Sequence, residues 1–316
     1  MDAFFEFLAS QSSKGAKGQY FTPRHVVEMC VQMIRPQKHE TVADPACGSG
    51  GFLVHSFNYV GKRESRADAR DFAGSRLFGF DFDARAIRIA KALMVLAGGE
   101  TVNVFRLNSL LTPVASGLFS GLHEEAEPVL TIEDVSKTTL RKHKGFDVIL
   151  TNPPFAGEVR ERNVLDMYEL GRGRASIERD VLFLERCVRL LRPGGRMAMV
   201  LPHNKFAMSA WSEARSWLLS VGRVLAVVGL GRHTFLPHTH QKASVLFFRK
   251  HSEHSRTDVI DNILFAISER DGKDSTGRPV IRAGVPTTES SWTRLDHDLG
   301  EIVTAFDDFY WKESTV

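Results

Sequence analysis

The feature that most restricts the fold is an alternation of short apolar runs with amphipathic helical segments, sustained from about residue 24 to 230. Thr41–Ala43, Arg76–Asp81, Val102–Arg106, Phe146–Thr151 and Met197–Pro202 read as strands. Between them, the stretches from Val26, from Leu53, from Ala84, from Ser176 and from Met208 carry apolar residues at helical spacing. Such alternation builds βαβ units around a parallel sheet. The last two strands, Arg223–Gly229 and Ala243–Arg249, have no helix between them and predict an antiparallel pair at one edge.

In open parallel sheets ligands bind beyond the carboxyl ends of the strands, so the residues that end each strand carry the functional reading. Phe146–Thr151 ends in Asn152-Pro153-Pro154-Phe155. The prolines offer no N–H and fix the backbone, holding an amide and an aromatic ring at the strand end. An amide can accept hydrogen from an exocyclic amine and a phenyl face can stack on a flat base, which is equipment for holding an amino-bearing heterocycle outside a duplex. The same tetrapeptide also fits a loop that merely begins with prolines.

The first strand runs into Asp44-Pro45-Ala46-Cys47-Gly48-Ser49-Gly50-Gly51-Phe52. Its glycines allow a sharp turn and close backbone approach to a ligand. The spacing is neither the Gly-x-Gly-x-x-Gly of dinucleotide enzymes nor that of a phosphate-binding P-loop, and this disfavours a nicotinamide dehydrogenase. Asp44 suits a ligand with a cationic amino group and suits pyrophosphate badly. Asp81 ends the second strand, the usual place for an acceptor of ribose hydroxyls, whereas Asp83 reads as a helix cap. Thr22 reads as an N-cap with Pro23 at the first helical position; free N–H groups and a hydroxyl there can also hold a carboxylate.

Lys plus Arg less Asp plus Glu is 41 − 38 = +3, which permits a nucleic-acid partner without arguing for one. The three cysteines, Cys30, Cys47 and Cys187, form no Cys-x-x-Cys pair and point to a reducing compartment. No apolar run reaches membrane-spanning length and the first residues do not open a signal peptide, so the expectation is a soluble cytoplasmic protein with no membrane partner. Residues 2–10 predict a short helix with Phe4, Phe5 and Leu8 on one face. Residues 112–145 break the alternation and read as an insertion with a short strand at Val129–Ile132. Gly171-Arg172-Gly173-Arg174 fits either phosphate contacts or a surface loop. His233, His238 and His240 have no cysteine or paired carboxylate beside them in sequence, so no metal is expected. Past residue 250, Val259–Ile267 reads as a strand and Leu299–Trp311 as a closing helix.

With these residues in place, the chain resembles the adenine-N6 DNA methyltransferases, and more narrowly the methylation subunits of type I restriction-modification systems. The resemblance spans about residues 14 to 250. It rests on Gly18-Gln19-Tyr20-Phe21-Thr22-Pro23, the Asp44–Phe52 stretch, Gly79-Phe80-Asp81, Asn152-Pro153-Pro154-Phe155, and the late Arg232-His233-Thr234-Phe235 and Lys242–Phe247. It implies the seven-stranded class I S-adenosylmethionine-dependent methyltransferase sheet, Rossmann-like, with an antiparallel edge hairpin. The implied division is a helical remnant and linker over 1–17, a catalytic domain over 18–250 and an extension over 251–316. Residues 1–13 stand where such subunits carry a longer helical domain.

The implied cofactor is S-adenosylmethionine. Its site would comprise Gln19, Tyr20, Phe21, Thr22 and Pro23 around the methionine carboxylate, Asp44 for the ammonium, and Ala46, Gly48, Ser49, Gly50 and Gly51 as the backbone turn. Asp81 would take the ribose, and Asn108 the adenine, where the family usually has an aspartate. The implied reaction is methyl transfer to the N6 amine of a flipped adenine in double-stranded DNA, with Asn152, Pro153, Pro154 and Phe155 catalytic. Separate specificity and restriction subunits would be the partners, since no target-recognition domain is evident. Methyl transfer to RNA or to a protein glutamine, and a non-catalytic cofactor-binding scaffold, are the competing readings.

Overall fold

The computed structural model describes residues 21–112, 131–139, 145–252 and 262–312. The expected helix over 2–10, together with Gln19 and Tyr20, lies outside them. Ten strands form the described β structure: β1 (Val42–Asp44), β2 (Leu77–Asp81), β3 (Asn103–Arg106), β4 (Phe146–Thr151), β5 (Glu158–Val159), β6 (Ile177–Glu178), β7 (Leu191–Pro202), β8 (Gly222–Gly229), β9 (Ala243–Lys250) and β10 (Leu264–Ile267). The main helices are α1 (Arg24–Ile34), α2 (Gly51–Gly61), α3 (Arg66–Ser75), α4 (Ala84–Ala97), α5 (Ile132–Thr139), α6 (Arg179–Leu190), α7 (Ser212–Val221) and α8 (Leu299–Phe306). Among the described residues no helix is long and apolar enough to cross a membrane.

The main sheet has eight strands in the order β10-β8-β9-β7-β4-β1-β2-β3. Only β9 runs against its neighbours. This corrects the expected sheet in two ways. There are eight strands rather than seven, and the antiparallel pair β8–β9 lies one strand in from the edge, because β10 adds in parallel outside β8. β10 lies within the run Val259–Ile267 that reads as a strand, and its Phe265 and Ile267 remain 72% and 67% exposed.

The sheet is covered on both faces. Val148 and Leu150 of β4 join the core cluster that includes Val27 of α1, Leu53 of α2 and Phe306 of α8. Ile149 of the same strand faces the opposite cluster, with Leu184 of α6 and Leu218 of α7, and Phe146 joins it because the register shifts between Phe146 and Val148. Successive side chains of a strand point to opposite faces, and two buried faces explain why these strands read as continuous apolar runs.

Three local expectations fail for identifiable reasons. Residues 131–132 do not form a strand: Thr131 and Asp134 make a reciprocal capping box, Thr131 N–H to Asp134 Oδ2 at 3.0 Å and Asp134 N–H to Thr131 Oγ1 at 3.3 Å, and α5 begins at Ile132. The α6 helix starts at Arg179 rather than Ser176, because Ile177 and Glu178 pair with Glu158 and Val159. Finally, Thr22 does not cap α1. Pro23 takes that position, and the Thr22 hydroxyl is engaged elsewhere.

Candidate active site

The chain order along the sheet reverses between β1 and β4, which lie side by side and parallel, Val42 opposite Val148 and Ala43 opposite Ile149. β1 ends in Asp44 and β4 runs out into Asn152, so the two residues leave neighbouring strands at the same end of the sheet. A switch point of this kind opens a crevice outside the strand ends.

Asp44 is 1% exposed. Its Oδ1 accepts the Ala46 N–H at 3.0 Å. Burial pushes its carboxyl up to about 7; the Thr151 hydroxyl and the Ala46 N–H pull the other way, and nearby Asp81 adds to the rise. A buried acid held near neutrality is poised to gain a cationic partner.

The turn after Asp44 is fastened to the end of β2. Cys47 N–H donates to the Phe80 carbonyl at 2.9 Å, and Gly48 N–H donates to Asp81 Oδ2 at 2.9 Å. The other oxygen, Asp81 Oδ1, accepts the Asp83 N–H at 2.9 Å. Burial raises the Asp81 carboxyl, and the Asp83 and Gly48 amides oppose that shift. Asp83 caps α4 through its side chain. Gly48 (φ +51) and Gly50 (φ +83) have left-handed backbones, and a Cβ at Gly48 would meet nothing within 4 Å. Backbone is thus presented bare to open space beside two buried carboxylates. That arrangement fits an amino-acid nucleoside, with Asp44 for an ammonium, Asp81 for vicinal hydroxyls and the Gly48 turn as the surface between them. Ala46 is half-buried and Ser49 buried in the turn, and Gly51 opens α2.

Asn152 is half-buried, and its Nδ2 donates to the Thr22 hydroxyl at 2.8 Å. Pro153 is buried, while Pro154 and Phe155 are half-buried, with Phe155 packed on the core cluster beneath α1. Phe21, Thr22 and Pro23 therefore meet the β4 end from across the crevice. Asn108 is exposed, and its Oδ1 accepts the Leu110 N–H at 3.1 Å.

Several residues at this site escaped the sequence reading. Phe82, directly after Asp81, is 70% exposed, with the Arg106 guanidinium 6.0 Å from its ring; an aromatic next to a strand-end acid was the signal. Arg186 of α6 is 1% exposed and donates from Nε to the Ser109 carbonyl at 2.6 Å, while the Ser109 hydroxyl donates to the Pro45 carbonyl at 2.5 Å. This relay ties the segment holding Asn108 to the Asp44 turn, and in sequence Arg186 is one more helix charge. His233 N–H and the Thr234 hydroxyl both donate to Asp271, at 2.9 Å each. Among the described residues no group of three His, Cys, Asp or Glu side chains is arranged to hold a metal. Arg174 is exposed and pairs with Glu213, and Arg172 is exposed.

The strand order, the single reversed strand and the crevice at the switch point define a class I S-adenosylmethionine-dependent methyltransferase fold. A Listeria monocytogenes chain assigned to that class aligns with TM-score 0.64 and 16% identity over 98% of this chain and 78% of its own. The methyltransferase subunit of a type I restriction-modification system from Streptococcus thermophilus aligns with TM-score 0.64 and 18% identity over 97% of this chain and 57% of its own. The chain belongs to the N-6 DNA Methylase family, whose model matches residues 2–278. It is 27% identical over 256 residues to the Type I restriction enzyme EcoEI methylase subunit of Escherichia coli, covering 79% of this chain and 46% of that protein. The chain thus spans less than half the length of this relative.

Proposed function

We propose that this protein transfers a methyl group from S-adenosylmethionine to the N6 amine of adenine in DNA, as the modification subunit of a restriction-modification system. The observation that carries the reading is that Asp44 and Asn152 leave adjacent parallel strands at the same end of the sheet, with Thr22 bonded to Asn152. Family membership supports the same chemistry.

When bound, S-adenosylmethionine supplies an activated methyl group on a sulfonium. Asp44 holds the ammonium, the Gly48–Gly51 turn lies along the cofactor, Asp81 accepts the ribose hydroxyls, and Phe82 and Asn108 flank the adenine of the cofactor. Phe21–Pro23, with Gln19 and Tyr20, face the methionine carboxylate. On the substrate side the adenine amine is a weak nucleophile because its lone pair is shared with the ring. The Asn152 side-chain oxygen and the Pro153 carbonyl accept its two hydrogens, which returns that lone pair to nitrogen. Phe155 stacks on the extruded base, a contact worth roughly 1–3 kcal/mol by analogy with single-strand stacking. The remaining catalytic work is alignment.

Double-stranded DNA with a flipped adenine is the substrate in this reading, with separate specificity and restriction subunits as partners. Residues 18–250 form the catalytic unit and 251–316 an extension of it. The cytoplasm is the expected compartment, supported by three buried free thiols. The test is transfer of labelled methyl from S-adenosylmethionine to DNA, RNA and protein in parallel, with and without a specificity subunit. Label in N6-methyladenine of DNA, lost in Asn152→Ala, is the expected result; label in RNA or protein alone overturns the reading.

A further inference from the structure

Between Phe155 and the first turn of α6 the chain carries Arg160, Arg162, Arg172, Arg174 and Arg179. Arg160, Arg162 and Arg174 each stand beside a carboxylate, that of Glu158, Asp166 and Glu213 in turn. Arg172 is exposed, so water solvates its charge. Arg179 differs from all four. It is half-buried, yet among the described residues its guanidinium forms no ion pair and donates no hydrogen bond. None of its nitrogens is sealed from solvent, so a ligand can reach them. The acids on either side of it are engaged elsewhere. Glu178 accepts Lys205 Nζ at 2.5 Å and Trp211 Nε1 at 2.8 Å. Asp180 is fully buried, with Lys205 Nζ 3.5 Å from its Oδ2.

Gly157 shows where this cation lies. The Arg179 N–H donates to the Gly157 carbonyl at 3.0 Å, one step beyond the Glu158–Glu178 pair of β5 and β6. Gly157 has a left-handed backbone, φ +100, and a Cβ there would stand 3.0 Å from Arg179 Nη2, 3.2 Å from Cζ and 3.4 Å from Nη1. The guanidinium therefore rests on the bare glycine instead of extending into water. A cation that has given up part of its hydration without gaining a counter-charge is costly, and the planar fork of a guanidinium fits the oxygens of a phosphate. Position says whose phosphate. Gly157 is two residues past Phe155, a separation of at most about 7 Å, and both Ala156 and Gly157 are exposed. The phosphates on either side of a nucleotide whose base rests on Phe155 are the anions brought nearest to this guanidinium.

We propose that Arg179, seated on Gly157, is a phosphate contact for the substrate strand and pairs with a phosphodiester flanking the flipped adenine. The proposal rests on the reading that the chain acts on DNA with Phe155 against the base. Such a contact goes to backbone, so it fixes the strand without selecting a sequence.

The test is fluorescence anisotropy of the full chain on duplexes of several sequences across a salt series. Arg179→Gln is expected to weaken binding alike on every sequence and to lower the salt slope by about 0.9. Arg179→Lys should keep most of the slope, which separates lost charge from lost folding. A second arm places the contact. The methylated adenine is mapped, and duplexes are made with a neutral methylphosphonate on either side of it. One of these should weaken binding by the parent chain and leave Arg179→Gln unaffected. Equal salt slopes for parent and Arg179→Gln overturn the proposal. A lowered slope beside equal methylphosphonate losses in both proteins means that the charge acts from elsewhere on the duplex, and overturns it too. S-adenosylmethionine binding is measured on every variant. A parent chain that binds neither this cofactor nor DNA marks a failure of the methyltransferase reading, and the phosphate contact falls with it. Retention of both beside an unchanged slope marks a failure of the Arg179 contact alone.

Discussion

The Asn152 side chain donates to the hydroxyl of Thr22, 130 residues earlier in the chain, at 2.8 Å. The contact fixes which way the amide faces: with the nitrogen engaged on Thr22, the proposed role of the oxygen is to accept from a substrate amine. Thr22→Val keeps the shape and removes the acceptor. At roughly 0.5–1.5 kcal/mol for one hydrogen bond, methyl transfer should fall about two- to twelvefold, and Thr22→Ser should restore it. Single-turnover rates at saturating cofactor are the measurement; equal rates for Thr22→Val and parent remove the orienting role.

With the Asp44 carboxyl lifted to about 7 by burial, its proposed role as partner of the cofactor ammonium predicts binding that depends on pH. Below that value the acid is protonated and must lose its proton to pair with an ammonium. S-adenosylmethionine affinity should therefore weaken toward a limit of about tenfold per pH unit on the acid side. For the ligand-free protein the sign is opposite. The unfolded chain releases this proton near pH 4, so between about 4 and 7 this group makes stability fall as pH rises. Asp44→Asn should remove both dependences and weaken binding. Calorimetric titrations and denaturation midpoints from pH 5.5 to 7.5, compared between parent and variant, check the signs.

Phe155→Ala should lower methyl transfer on DNA roughly 5- to 150-fold, corresponding to a stacking loss of about 1–3 kcal/mol. Phe155→Tyr should stay near the parent, and cofactor affinity should be unchanged in both. A loss of cofactor binding in Phe155→Ala would place the ring on the wrong ligand.

Arg196 of β7 reaches the carboxyl end of α1. Its Nη1 and Nη2 pair with Glu40 at 2.7 and 2.8 Å, and its Nε and Nη2 donate to the carbonyls of Ile34 and Arg35 at 2.8 and 2.9 Å. Both side chains are about nine-tenths buried. Arg196→Ala leaves Glu40 and two carbonyls behind and should cost about 3–5 kcal/mol, read as a shift in the urea midpoint with unchanged slope. Double replacement by apolar residues of similar volume should recover much of that loss.

Asp271 clamps the loop that follows β8. Gly231 makes room for it, since a Cβ there would lie 1.4 Å from Asp271 Oδ1. Asp271→Ala should destabilise the protein by about 3 kcal/mol, given hydrogen bonds to a charged group of roughly 1.5–3 kcal/mol each, and should speed hydrogen exchange over residues 231–236. Asp271→Asn should lose less. Unchanged exchange in that loop would show that the clamp is not what holds it.

The sequence reading succeeded wherever one local rule decided the outcome. β4 matches its expected bounds and so does α4, because an apolar run closed by two prolines and a helix opened by Asp83 and closed by Gly98 each carry their own punctuation. It failed where a distant residue overruled the local rule. Thr22 looks like a cap until Asn152 claims its hydroxyl, and Ile177-Glu178 looks like the start of a helix until Glu158-Val159 pairs with it. The apolar run Val259–Ile267 reads as a strand, and β10 forms over its last four residues, Leu264–Ile267; what the run does not show is that this strand adds in parallel outside β8. Motif residues at strand ends were readable because the glycines and prolines there constrain the backbone. Arg186 and Asp271 were not, because a charge serving a buried carbonyl or a remote amide is spelled like any other charge.

The adjacency of β1 and β4 has one more consequence. The two halves of the crevice leave neighbouring strands of one hydrogen-bonded ladder, whose spacing is set by the peptide backbone at about 4.8 Å between strands. No hinge stands between them. In the proposed reading, every surface that meets DNA can therefore change while the spacing of these two strand ends stays as inherited.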